Sequence, residues 1–199
     1  MSRVVLVLLM SAWLAPLALA QTTGTPADHE ALRKLKDQVL QAVNARDYAL
    51  ARKLINDPFM ATVITQDSFT DFDKLKSYFE GLYTREVLQM KSVSISADAD
   101  DYSQIIDGTF ALTKGSTKER YELADGRIFD IAGRWTAVTL KQNGEWKLLA
   151  IHMGTNFLDN PVLAAIEKSV LRFGAAAGAV GLVIGLAGGW LLGWRWARK

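Results

Sequence analysis

The sequence contains no cysteine among its 199 residues. Disulfide bonds, thiol catalysis and cysteine-bound metal sites are therefore excluded. Histidine is scarce, with two residues, and the sequence has no His-rich metal motif, glycine-rich phosphate loop or serine-nucleophile motif. We therefore expect no metal site and no cofactor, and a folded domain that depends on its hydrophobic core alone.

The chain also lacks a cluster of basic residues in its central part. Of 23 Lys and Arg residues, one lies near the N-terminus and three at the C-terminal end, which leaves 19 against 21 acidic residues. A net charge of −2 without a basic patch argues against nucleic-acid binding.

Charged residues are absent from the C-terminal run between Phe173 and Trp194. As a helix this run would be roughly 33 Å long, which is enough to cross the hydrocarbon core of a bilayer. Basic residues follow in the tail 195–199, as the positive-inside bias expects for a cytoplasmic end. The pattern predicts a transmembrane helix over 173–194.

The N-terminal segment 1–20 has the features of a secretory signal peptide. Arg3 precedes an apolar run, and Ala18 and Ala20 form a small-residue cleavage site. An uncleaved helix is the alternative interpretation. With the C-terminal span, the signal predicts a single-pass protein of a bacterial inner membrane, with its domain in the periplasm and its C-terminus in the cytoplasm.

Glycine recurs every four residues in the predicted span. This spacing lets two transmembrane helices approach closely, although glycine is also common in membrane spans generally. We predict that the span self-associates through four glycines, Gly181, Gly185, Gly189 and Gly193.

The remaining chain is divided into a linker (21–27), one domain (28–157) and a helical stalk (158–172). Apolar periodicity predicts helices over 28–46 and 48–55, the second capped by Asp47, and a third that begins at Thr70 or Asp71. Alternating segments predict strands over 59–65, 87–97, 102–113, 118–123, 127–141 and 145–157, with a bulge or bend at Gly133. This order predicts an α+β fold in which a curved antiparallel sheet carries the N-terminal helices on its concave face.

Three segments resemble the nuclear transport factor 2-like superfamily, which includes ketosteroid isomerase-like and SnoaL-like domains. They are VNARDYALARKLI, FTDFDKLKSYFEGLY and GRWTAVTLKQNGEWKLLAIHMG. The resemblance covers residues 28–157. It implies a cone-shaped domain with a pocket between the sheet and the helices, in a family that contains both enzymes and binding modules.

The catalytic groups of ketosteroid isomerases are an aspartate base, a tyrosine and a protonated aspartate. The resemblance places the tyrosine near Val39, the base at 63–65 and the protonated aspartate near Thr136, where no residue has the required chemistry. A shift of a few residues would bring in Asp67. We therefore assign no catalytic residue, and an enzyme that uses Asp67, Asp130 and Arg134 is an alternative.

Seven residues are candidates for lining a ligand pocket. Arg134 and Asp130 share one face of their strand, so Arg134 binds either an acidic ligand or a structural carboxylate such as Asp130. The other candidates are Thr136, Phe59, Phe79, Tyr83 and Met153.

The last predicted strand is apolar on both faces. Strict alternation puts Trp146, Leu148 and His152 on one face, and Leu149, Ile151 and Met153 on the other. A strand that is covered on both faces favours a second copy of the domain on the outer side. We predict a homodimer that uses Trp146, Leu148 and His152, with a catalytic His152 as the alternative.

These features favour a membrane-anchored, non-catalytic binding or assembly module. Its expected partners are the membrane, a second copy, and a small ligand or another membrane protein. The alternative is a small-molecule-binding or enzymatic pocket protein with isomerase-, dehydratase- or hydrolase-like activity.

Overall fold

The computed structural model describes residues 24–197, so the predicted signal peptide lies outside the described residues. Within this range there are four helices: α1 (Pro26–Ala45), α2 (Tyr48–Leu54), α3 (Phe72–Leu82) and α4 (Pro161–Trp196). The strands are β1 (Ile55–Thr62), β2 (Ser68–Phe69), β3 (Met90–Ala99), β4 (Gln104–Ile106), β5 (Phe110–Leu123), β6 (Ile128–Gln142) and β7 (Glu145–Thr155).

The seven strands form one sheet in the order β2-β1-β7-β6-β5-β3, and β4 pairs with β5 beside this path. The predicted α+β architecture, a curved sheet with the N-terminal helices on its concave face, is confirmed. Two details differ from the sequence prediction. The segments predicted separately at 102–113 and 118–123 are the short β4 and one long β5, and β1 pairs in parallel with β7.

Two helices of the domain begin at aspartates: Asp47, as the sequence predicts, and Asp71, one of its two candidates. The Asp47 carboxylate accepts a hydrogen bond from the backbone N–H of Leu50 at 2.9 Å. The Asp71 carboxylate accepts one from the backbone N–H of Lys74, also at 2.9 Å. Each carboxylate satisfies an N–H group that has no partner within its helix.

The predicted bulge at Gly133 is wrong, because the pairing of β6 with both neighbours runs through Gly133 without interruption. The irregularity lies instead at Leu149 of β7, between the pairs Thr139–Leu148 and Val138–Ala150. An extra residue at this point reverses the alternation along β7.

The irregularity corrects the predicted dimer interface. Before it, Trp146 and Leu148 face the concave side, where both are buried in the core. After it, Ile151 and Met153 face the concave side, and His152 is exposed on the outer side. Trp146 and Leu148 therefore do not share a face with His152, because strict alternation does not continue across a bulge.

Asp28 in the first turn of α1 connects this helix to the sheet. Its Oδ1 accepts hydrogen bonds from Lys141 Nζ at 2.6 Å and from Trp146 Nε1 at 3.1 Å. Together with the Thr25 hydroxyl, these donors stabilise the carboxylate and hold the pKa of Asp28 well below its usual range, and Lys141 contributes most.

The C-terminal helix α4 is continuous from Pro161 to Trp196, so the predicted stalk and span belong to one helix. Its stretch Pro161–Trp190 is long and apolar enough to cross a membrane, and the apolar window of 18 residues within it is not buried against the domain. This is consistent with single-pass membrane anchoring. A Cβ added at Gly181, Gly185 or Gly189 would have no atom from outside the local helix backbone within 4 Å. Self-association of the span therefore stays a prediction.

Candidate functional site

A cavity of about 690 Å³ lies between the concave face of the sheet and helices α1 and α3. Small-molecule sites in proteins are typically cavities of about 300–1,000 Å³. Most of its wall is apolar and comes from both layers of the fold. The lining includes Leu35 and Val39 of α1, Leu75 and Phe79 of α3, Val93 and Ile95 of β3, Ala137 of β6, and Leu148 and Met153 of β7.

The strand patterns explain why the cavity wall is apolar. In β3, Val93, Ile95 and Ala97 face the cavity, whereas Ser94 and Ser96 between them are exposed on the outer side. This is the alternation expected for a strand with one wet face and one covered face.

A buried carboxylate lies behind one part of the wall. Glu119 of β5 is only 2% exposed. Thr117 Oγ1 donates a hydrogen bond to Glu119 Oε1 at 2.7 Å, and the Tyr121 hydroxyl donates one to Oε2. Thr117 and Tyr121 themselves line the cavity, so they separate the carboxylate from the space in which a ligand would lie.

Gly133 leaves room for this cluster. A Cβ atom at Gly133 would overlap Thr117 Oγ1 and would lie 3.2 Å from Glu119 Oε1. The glycine that the sequence suggests as a bend therefore serves a packing role beneath the Thr117–Glu119 hydrogen bond.

A second hydroxyl group of the cavity belongs to Tyr78 of α3, which is half-buried. Its hydroxyl lies 2.6 Å from Thr65 Oγ1, and Thr65 Oγ1 also donates a hydrogen bond to Asp67 Oδ2 at 2.7 Å. Burial raises the pKa of Tyr78. The pKa of Tyr121 is raised far above its ordinary value, first by burial and then by the Glu119 carboxylate. Both phenols therefore stay protonated at physiological pH.

Two further tyrosines contribute to the wall. The Tyr48 hydroxyl is buried without a hydrogen-bond partner among residues 24–197, and burial raises the pKa of Tyr48. Tyr83 is covered by Arg46, whose guanidinium carbon lies 4.4 Å from the centre of the ring. A buried polar group without a partner is uncommon in native structures, so the Tyr48 hydroxyl is an unsatisfied group in the wall of the cavity.

Three of the seven predicted pocket residues line the cavity, namely Phe79, Tyr83 and Met153. Phe59 lies instead in the adjacent core with Ala61, Val63 and Leu75.

The predicted polar pocket residues Asp130, Arg134 and Thr136 are placed on the outer face, because Trp135 and Ala137 between them face the cavity. Arg134 forms an ion pair with Asp100, and Asp130 forms one with Arg120 at 3.0 Å. The prediction that Arg134 points into the pocket is thus wrong, and the alternative of a structural carboxylate partner is the one observed.

Sequence reasoning missed the Thr117–Glu119–Tyr121 cluster. The cause was the division of β5 into two strands, which hid the alternation of these residues with exposed Lys118 and Arg120. One unbroken period-two pattern over 110–123 would have put Thr117, Glu119 and Tyr121 on the same face.

The positions that correspond to an isomerase site are also separated. Val39 and residues 63–65 line the cavity, but Thr136 lies outside it. Asp67 is exposed and hydrogen-bonded to Thr65, so Asp67, Asp130 and Arg134 are not brought together. Over the described range 24–197, no group of three or more His, Asp or Glu side chains is arranged to hold a metal ion.

Solved structures similar to this chain establish its fold. A nuclear transport factor 2-like superfamily protein from Salmonella enterica is 15% identical, with a TM-score of 0.54 over 66% of this chain and 93% of that one. A hexachlorocyclohexane dehydrochlorinase is 13% identical, with a TM-score of 0.57 over 66% and 86%. The association domain of C. elegans CaMKII is 15% identical, with a TM-score of 0.52 over 65% and 96%.

The domain therefore has the nuclear transport factor 2-like fold, as the sequence resemblance implies. No protein-family model matches the sequence. No curated protein matches it in sequence either. At these identities the similarity extends to the fold, and the function has to be argued from the cavity.

Proposed function

We propose that this chain is a membrane-anchored binding module whose cavity holds a small, largely apolar molecule. The observation that carries the proposal is an apolar cavity of about 690 Å³ within a domain that continues into a membrane-compatible helix. Catalysis is not part of the proposal, because both oxygens of Glu119 are engaged by hydroxyl groups and the phenols nearby are held neutral.

The proposed topology follows the sequence pattern at both ends. The signal peptide (1–20) exports the chain and the linker (21–27) leads into the domain (28–157). The stalk (158–172) and the span (173–194) hold the domain on the periplasmic side of a bacterial inner membrane, with the tail (195–199) in the cytoplasm. The continuity of α4 supports a short, stiff connection between domain and bilayer.

Filling the cavity should abolish ligand binding. Val93→Trp would place an indole ring in the cavity, whereas Ser94→Trp would place the same ring on the outer side of the same strand. We expect 4-hydroxybiphenyl to bind the full-length protein in lipid nanodiscs. Val93→Trp should weaken this binding at least about tenfold, a loss of about 1.4 kcal/mol, and Ser94→Trp should leave it unchanged.

Titration calorimetry with subtraction of the signal from empty nanodiscs measures this effect. Native mass spectrometry of the same samples reveals whether a small molecule co-purifies with the unaltered protein and is lost from Val93→Trp. Absence of any binding above that of empty nanodiscs would rule out the proposed function. Equal weakening by Ser94→Trp would mean that the effect does not arise in the cavity.

The outer face of the sheet carries an apolar row that supports a homodimer. Met60, Ala150, Val138 and Leu112 are paired in sequence across four strands. Met60 is 54% exposed and Leu112 is 40% exposed. We propose that a second copy covers this row, with His152 beside it, in place of the interface predicted with Trp146 and Leu148. An association domain with the same fold supports this use of the architecture.

Placing a charge in this row should dissociate the dimer. Leu112→Glu would put a carboxylate at the β5 end of this row, within the proposed interface, and burying an unpaired charge is unfavourable. Ser94→Glu, on the same face but away from the row, is the matched control. We expect native mass spectrometry of the full-length protein to detect monomers of Leu112→Glu and dimers of Ser94→Glu.

The same measurement separates two ways of associating. A dimer that survives Leu112→Glu but is lost when Gly185 and Gly189 are both changed to leucine would exclude the sheet interface. That result would assign association to the span.

A further inference from the structure

Two tyrosines that line the cavity, one from the helix layer and one from the sheet, donate their hydroxyl protons to other side chains. Tyr78 lies on α3 and Tyr121 on β5, and each donates its hydroxyl proton into a hydrogen-bonded chain that ends at a carboxylate. We propose that the cavity therefore selects an apolar molecule that bears a hydrogen-bond donor, either a hydroxyl or an amine. This inference rests on the proposed function and specifies the chemistry of its ligand.

The proton of Tyr121 is assigned by its partner. A carboxylate group has only acceptors, so the hydroxyls that contact its two oxygens must both be donors. Thr117 therefore donates to Oε1 of Glu119, and Tyr121 donates to Oε2. A phenol that donates to a carboxylate keeps its oxygen lone pairs, and Tyr121 is one of the residues that line the cavity.

The proton of Tyr78 is assigned by the same reasoning, because its partner Thr65 is in turn hydrogen-bonded to a carboxylate. Thr65 has one hydroxyl proton, and it is donated to the exposed carboxylate of Asp67 at 2.7 Å. The contact of 2.6 Å between Thr65 and Tyr78 then requires Tyr78 to be the donor. The oxygen of Tyr78 therefore also keeps its lone pairs as acceptors, and Tyr78 lines the cavity.

The two acceptors act on the same space. Tyr78 and Tyr121 line the same cavity. A hydroxyl or amine of a ligand can donate to either oxygen. An ether or ketone finds no proton at these two positions and loses its own hydration, which is unfavourable without a compensating hydrogen bond.

The negative charge of Glu119, which lies behind Tyr121, also favours ligands that carry a hydrogen-bond donor. Within residues 24–197, no Lys or Arg side chain forms an ion pair with Glu119, so its buried carboxylate is balanced only by hydroxyl dipoles. The aromatic faces of Tyr78, Phe79 and Tyr83 line the same cavity, and such faces attract cations. An amine is therefore compatible with the site as well as a hydroxyl.

Three probes with the same apolar body test the inference. They are 4-hydroxybiphenyl and 4-phenylbenzylamine, which are donors, and 4-methoxybiphenyl, which has an acceptor only. We expect at least one donor probe to bind the full-length protein in nanodiscs about five- to tenfold more tightly than the methoxy probe, as one net hydrogen bond provides.

Because either oxygen alone can accept the hydrogen bond, the double variant Tyr78→Phe/Tyr121→Phe should reduce this preference to within about twofold, while binding of the methoxy probe is retained. Tyr78→Phe leaves the Thr65–Asp67 hydrogen bond in place and is the milder change. Tyr121→Phe removes a partner of buried Glu119, so its thermal midpoint is measured alongside binding.

The outcomes separate this inference from the proposed function. If all three probes bind the unaltered protein equally, the cavity binds ligands but the donor preference is refuted. A donor preference that persists in a folded Tyr78→Phe/Tyr121→Phe variant would also overturn the inference. If none of the probes binds, the proposed function itself fails.

Discussion

Replacing Trp146 with alanine is expected to lower the free energy of unfolding by about 3–5 kcal/mol. Trp146 is only 7% exposed and packs against Leu32 and Leu35 of α1 and against Ile105 and Ala111 from the β4–β5 edge. Its removal leaves a large void between the first helix and the sheet. A void of this kind loses transfer free energy and also the contacts of the residues that surround it.

The change also removes a hydrogen bond between α1 and the sheet. Trp146 Nε1 donates to Asp28 Oδ1 at 3.1 Å. Trp146→Phe keeps most of the packing and loses this bond. It should therefore lower the free energy of unfolding by less than Trp146→Ala does. Chemical denaturation of the full-length protein in detergent, followed by the far-ultraviolet circular dichroism of the sheet, measures both values.

Trp190→Ala is the matched control, because it removes the same side chain from a position on α4 that is 68% exposed. We expect it to change domain stability by less than about 0.5 kcal/mol. If Trp146→Ala cost less than about 1 kcal/mol, the packing of α1 on the sheet described here would be contradicted.

Replacing Gly115 with alanine should lower the free energy of unfolding by about 3 kcal/mol, the largest effect expected of the small substitutions in the sheet. Gly115 of β5 pairs with Ala99 of β3 on one side and with Trp135 of β6 on the other. An added Cβ would overlap the backbone carbonyl of Asp98 and lie 2.7 Å from the indole ring of Trp135. A backbone carbonyl cannot rotate away, so the neighbouring strands have to shift.

Gly154→Ala provides the control in the same sheet. An added Cβ at Gly154 would have no atom within 4 Å, and this residue pairs with Arg134 of β6. We expect Gly154→Ala to be neutral within about 0.5 kcal/mol. Equal stability of the two variants, compared by thermal unfolding and by denaturant titration, would show that the close approach at Gly115 does not constrain the sheet.

The local patterns were sufficient for most elements of the fold. Caps at Asp47 and Asp71, apolar periodicity in α1 and α3, and the Asn143–Gly144 turn between β6 and β7 are interactions among residues close in sequence. The resemblance to the nuclear transport factor 2-like superfamily then identified the fold, which similar solved structures confirm.

The candidate site was harder to predict because it depends on which way each strand faces. One irregularity near Leu149 reversed the orientation of the last residues of β7, and a wrong division of β5 hid Glu119 and Tyr121. For Arg134, sequence spacing correctly grouped it with Asp130 and Thr136 on one face. It could not decide whether that face is the concave or the outer one, because both faces of β6 carry apolar residues.

The sequence by itself determined the elements of this protein, their order, and the long apolar run at its C-terminal end. Each of these depends on periodicity, capping or length within one segment. Only the tertiary structure decided that β1 pairs with β7, that the cavity is bounded by Tyr78 and Tyr121 from opposite layers, and that Glu119 lies behind Tyr121. These are contacts between segments distant in sequence, and their geometry is fixed by strand register and by the curvature of the sheet.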